Sequence, residues 1–133
     1  MSVLAYMGYY YYDVTYLLVI LGAVLSMIAS AQVNSTFKRY SRVRSGCGMT
    51  GAEAAERILY RNGLTNVRIE HISGNLTDHY DPSSKVLRLS DATYNATSVA
   101  AVGVAAHECG HAVQDARGYA PLKFRSALVP AAN

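Results

Sequence analysis

Between Asp13 and Lys38 the chain carries no charged residue, and Val14 to Val33 (VTYLLVILGAVLSMIASAQV) is an almost unbroken apolar run. A helix needs about twenty such positions to cross the hydrocarbon core of a bilayer, where every backbone amide must be satisfied within the helix itself. The run therefore predicts a transmembrane helix over 14–37. A cleaved secretory signal would begin with a basic segment, and nothing before Asp13 is basic. Tyr6, Tyr9 to Tyr12 and Tyr16 crowd the entry side, as amphipathic rings do at a membrane interface. Lys38, Arg39, Arg42 and Arg44 lie just beyond the span, so the excess of positive charge places the N-terminus outside and the remainder in the cytoplasm. The expected organisation is a Tyr-rich extracytoplasmic N-terminus (1–13), the span (14–37), a basic juxtamembrane linker (38–49) and a domain from 50 to 133. The formal net charge of +3 is largely the basic cluster. It fits topology and contact with anionic headgroups of the lipid bilayer, and no basic–aromatic pattern points to nucleic acid. Two cysteines suit a reducing compartment.

Chemistry concentrates in His107-Glu108-Cys109-Gly110-His111. A helix turns about 100° and rises about 1.5 Å per residue, so side chains four apart stack on one face. Two imidazoles so placed can share a metal ion, with Glu108 on the same arc as a proton acceptor; this is a catalytic zinc pattern. The surrounding stretch Ser98 to Arg117 carries Val or Ala on almost every side, which predicts a buried helix. Ser98 or Thr97 is a candidate N-cap and Gly118 a stop. Gln114 and Asp115, one turn beyond the motif, are candidates to orient a ligand or a polar helix end facing water. Cys109 points away from the histidines on a helical wheel.

A catalytic zinc takes a third protein ligand. A third histidine six residues after His111 would give the long metzincin pattern, but Arg117 stands there. Glu53, Glu56, Glu70, Asp78, Asp81, Asp91, His71 and His79 have no supporting spacing. No acidic residue follows Asp115, and the chain runs from Gly118 into an apolar segment ending at Asn133. The expectation is an N-terminal fragment whose third ligand lies past residue 133.

Upstream of the motif, Thr50-Gly51-Ala52-Glu53 has the form of a capping box opening a helix that ends near Asn62-Gly63. Asn66 to Ile72 alternates like a half-buried strand. Leu76 to Tyr80 and Lys85 to Leu89 flank Asp81-Pro82-Ser83-Ser84, a turn tetrad, and read as a β-hairpin. Asp91 is a candidate cap for a short turn. Lys85 to Leu89 is the candidate edge strand for an extended peptide. His79 and Tyr80, at the hairpin, are candidates to contact substrate or stabilise an oxyanion. The fold class is α+β: an N-terminal transmembrane helix, then a small zincin-like domain of a helix, a short antiparallel sheet with a hairpin and a buried metal helix, truncated at its C-terminal end.

Four strings together, Tyr40 to Ser45, Leu76 to Pro82, Val86 to Ser90 and Val104 to Ala112, resemble the neutral zinc metallopeptidase family of bacterial membrane proteases. The resemblance covers nearly the whole chain. It implies a bacterial plasma-membrane protein with a peptide or protein substrate and Zn2+ as cofactor. It also implies longer members with further spans after the metal helix and a remaining ligand, a Glu, beyond this chain. His107 and His111 would bind zinc, and Glu108 would act as general base in peptide hydrolysis. The alternatives are a zinc-binding membrane module whose site is structural or incomplete, without peptidase activity, and a membrane-anchored interaction domain.

Overall fold

The computed structural model describes residues 3–132, with side chains from 13 to 130. The side chains of Tyr6 and Tyr9 to Tyr12, expected at a membrane interface, lie outside the described residues. The chain divides after Lys38 into two units. The first is α1 (Val3–Ser41), which continues a short way into the second. Asp13–Ser41 is long and apolar enough to cross a membrane. Leu17, Leu18, Leu25 and Met27 are among its exposed apolar side chains.

The second unit is α+β, in the order α2 (Gly51–Arg61), β1 (Arg68–Ile72), β2 (His79–Asp81), β3 (Val86–Ser90), α3 (Asp91–Tyr94), α4 (Val99–Ala116) and α5 (Ala120–Ala132). The capping box forms: the Glu53 amide donates to Thr50 Oγ1 at 3.1 Å and the Thr50 amide to Glu53 Oε2 at 3.1 Å. Gly51 opens α2 against α3, where a Cβ would lie 2.2 Å from the Thr93 carbonyl oxygen, so no larger residue fits.

The sheet differs from the expected antiparallel arrangement. It is mixed, in the order β1-β3-β2. β3 pairs parallel with β1, Ile69 opposite Leu87, and antiparallel with β2, Tyr80 opposite Leu87. β3 is therefore the central strand, and the expected edge at Lys85 to Leu89 is corrected: the edges are β1 and β2. Burial is the physical reason. Val86, Leu87 and Leu89 are fully buried, and a strand apolar on both faces belongs inside a sheet, whereas β1 and β2 carry exposed residues. Gly74 and Leu76 take positive φ as the chain crosses from one edge to the other. The β2–β3 hairpin forms, but its first strand is only His79–Asp81: Leu76 to Asp78 are not strand, and Asp81 ends the strand where the sequence predicts a turn residue. Its turn is held by Asp81, whose carboxylate accepts from the Ser83 amide at 2.9 Å and from the Ser83 and Ser84 hydroxyls at 2.6 Å.

Leu87 and Leu89 pack with Ala55 and Leu59 of α2 and with Ala105, Cys109 and Ala112 of α4. The α4 residues recur at i, i+4 and i+7 and form one stripe. Small residues there let α2 approach closely, and the Cys109 thiol meets the Ala55 carbonyl at 3.7 Å. α4 is thus buried along one stripe and not all round, with Val99 exposed. The Ser98 side chain caps its start, accepting from the Ala101 amide. At its end the Tyr119 amide bonds the Gln114 carbonyl and the Gly118 amide the Asp115 carbonyl, with Gly118 at φ 70°. This is a Schellman stop. Asp91 does not cap α3. Ser90 occupies that position, while Asp91 accepts from the Gly74 amide at 3.1 Å and from His71 Nε2 at 2.6 Å.

Candidate metal centre

With Ala105, Cys109 and Ala112 turned to the core, the 3.6-residue period directs His107 and His111 to the other side of α4 and leaves Glu108 on the flank between them and the core stripe. The two imidazole centroids are 4.8 Å apart at 83°. His107 is exposed; Glu108 and His111 are half-buried. His111 Nδ1 meets Gln114 Oε1 at 3.1 Å. An amide oxygen only accepts, so this bond places the ring hydrogen on Nδ1 and the lone pair on Nε2. Burial raises the Glu108 carboxyl above its ordinary range, and nearby Asp78 adds to the rise; His107 and His111 oppose it. Burial likewise pushes the Cys109 thiol up to about 12, leaving it an inert core residue.

These residues line a cleft of about 640 Å³ with Asp78, His79, Tyr80 and Asp81 of the hairpin, Arg88 of β3, and Leu122, Arg125 and Val129 of α5. The edge strand on the cleft is β2. His79 Nδ1 donates to the Thr77 carbonyl at 2.8 Å, and its Nε2 faces Arg88 Nη1 at 3.5 Å. Glu70, Arg88 and His79 stand opposite one another across the sheet, so Arg88 also reaches Glu70 at 3.3 Å and Asp81 at 3.4 Å. Asp78 accepts from the Ser90 amide at 2.8 Å and the Ser90 hydroxyl at 2.9 Å.

Asp115 turns to the hairpin: it accepts from the Tyr80 hydroxyl at 2.8 Å and pairs with the Lys85 ammonium. Burial alone would raise its carboxyl, but Lys85 and Tyr80, with Lys123 farther off, hold it below the ordinary value. The Tyr80 hydroxyl is pushed well above its ordinary value by burial and by Asp115. Its hydrogen is engaged in that bond. The structure thus gathers His107, Glu108, His111, His79 and Tyr80 around one cleft, with Gln114 behind His111 and Asp115 behind Tyr80. Arg88 and Arg125 escaped the sequence reading because each comes from an element whose position depends on distant pairing.

Two nitrogen donors on one helical face, one with its tautomer fixed, beside a carboxylate without a bonded protein donor among the described residues, fit the donor set of a zinc site. Among the described residues no group of three or more His, Cys, Asp or Glu is placed to hold a metal ion.

A family model described as "Putative neutral zinc metallopeptidase" matches residues 15–133. The curated "Putative membrane protease YugP" of Bacillus subtilis (strain 168) is 47% identical over 109 residues, which are 82% of this chain and 48% of that protein. The chain therefore spans about half the length of that relative. No solved structure matches.

Proposed function

The chain belongs to the neutral zinc metallopeptidase family, and on that premise we propose that it is a membrane-anchored enzyme that hydrolyses peptide bonds. In this reading His107 and His111 hold Zn2+ and Glu108 is the general base. The observation that carries it is the placement of the two rings 4.8 Å apart in one cleft with a half-buried carboxylate whose affinity for a proton is raised.

Zn2+, when bound, supplies Lewis acidity toward the scissile carbonyl and brings the pKa of a water molecule from 15.7 toward about 7. Glu108 takes the proton of the attacking water and returns it to the leaving amine. Burial raises the proton affinity of the Glu108 carboxyl above its ordinary value, in the direction that favours accepting a proton. Gln114 holds the His111 ring in the tautomer that leaves Nε2 free. Asp115 and Tyr80 fasten β2 to α4, and an extended peptide would pair with the free edge of β2 whatever its side chains. The span anchors the enzyme with its N-terminus outside and the catalytic unit in the cytoplasm.

One observation favours a second reading, a zinc-binding membrane module without peptidase activity: no three His, Cys, Asp or Glu side chains among the described residues are placed to share a metal ion. Digestion of an unfolded protein such as casein separates the two. The peptidase reading expects cleavage that falls by about 10²–10⁴-fold in Glu108→Gln. No cleavage by the wild type favours the module, and a Glu108→Gln protein cutting at the wild-type rate excludes Glu108 as the base.

A further inference from the structure

We propose that Arg125 forms a carboxylate-binding subsite in the His107–Glu108–His111 cleft, selecting peptides that present a carboxylate at the α5 wall. This deepens the peptidase reading and rests on it.

The cleft is lined by Asp78, Asp81, Arg88, Glu108 and Arg125 as its charged residues, apart from histidines. Three are committed within the protein: Asp78 to Ser90, Asp81 to Ser83, Ser84 and Arg88, and Arg88 also to Glu70. Among the described residues neither Glu108 nor Arg125 has a hydrogen-bond or ion-pair partner. Glu108 is assigned to proton transfer. Arg125 is the uncommitted cation. Its position is fixed by α5, where buried Leu122 sets the inward face and Arg125, Ser126 and Val129 follow at i+3, i+4 and i+7 on the same stripe. All four line the cleft, with Pro130 beside them. The Arg125 side chain is exposed, so its guanidinium is accessible to an incoming ligand. A guanidinium presents a planar fork of donors that matches a carboxylate in two parallel hydrogen bonds. The carboxylate has two sources: the substrate's own C-terminus or an Asp or Glu side chain.

The test is binding of fluorescent peptide twins to the membrane-extracted Glu108→Gln chain. One twin has a free C-terminus and no acidic side chain, one is its C-terminal amide, and one is the amide with a single internal Glu. We expect one carboxylate twin to bind about tenfold tighter than the neutral amide, and the gap to shrink below about twofold when Arg125→Gln is added. The twin that shows the gap identifies the source. Arg125→Lys keeps part of the preference, because charge survives without the fork. In the catalytically intact chain Arg125→Gln raises KM for the preferred peptide and leaves kcat unchanged, as loss of uniform binding requires. Equal binding of all three twins overturns the subsite. So does a gap that survives Arg125→Gln, or one that Arg117→Gln, a charge change at the end of α4 outside the cleft, closes equally. Binding is read apart from turnover, so a catalytic failure of the peptidase reading leaves its own distinct mark.

Discussion

Glu108 and its two flanking histidines depend on what stands behind them. The His111 ring is fixed by Gln114 at 3.1 Å, while His107 is exposed and has no such tether among the described residues. Groups that orient a ligating imidazole are typically worth about 10–100-fold in metal affinity. Gln114→Ala is therefore expected to weaken zinc binding by about tenfold or more without unfolding the protein, measured by competition with a chromophoric chelator. Unchanged affinity would mean that the Gln114 contact does not serve the metal.

At the scale of elements, the cleft depends on α4 and the hairpin being clamped by Asp115. Its side chain is only 13% exposed, against 44% for Lys85, so part of the charge–charge attraction is screened. Asp115→Asn is expected to cost about 1–2 kcal/mol at neutral pH, with Lys85 and Tyr80 left less well paired. The sign with pH follows from the depressed carboxyl. Its contribution is fully present above the unfolded value of about 3.9 and is lost as pH falls through the lower folded value. The gap in unfolding free energy between wild type and Asp115→Asn should thus close progressively below about pH 4; a gap independent of pH would refute the clamp.

Local chemistry made several of these elements legible in the sequence: the capping box at Thr50 to Glu53, the Gly118 stop and the turn at Asp81 to Ser84 each involve residues within a few positions of one another. Strand order was not legible. Arg88 in the middle of Val86 to Ser90 imitates a half-exposed edge strand. Only the pairing partners Glu70 and His79, from two other strands, reveal that the charge is satisfied inside the sheet.

Across the whole molecule, the motif disclosed one wall of the cleft and hid another. His107, Glu108 and His111 lie on one helix, so spacing alone brought them together. Arg125 joins them only because α5 folds back on α4, which no local signal announces. Orientation in the membrane can be read with the protein's own thiols. Cys47 is exposed, and its thiol is held below the ordinary value chiefly by the Ser45 hydroxyl at 2.7 Å, which favours the reactive thiolate. Cys109 is buried and silent. A membrane-impermeant maleimide is expected to label Cys47 in opened or inverted membranes and not in intact cells. Labelling in intact cells would reverse the proposed topology, and Cys47→Ser supplies the blank.

The most direct test of the account is the zinc content of the purified, membrane-extracted chain. We expect zinc to be bound to a similar extent by wild type and Glu108→Gln when it is supplied in solution, and a large loss in His107→Ala and His111→Ala. Zinc absent from the wild type, or retained undiminished when either imidazole is removed, would contradict it.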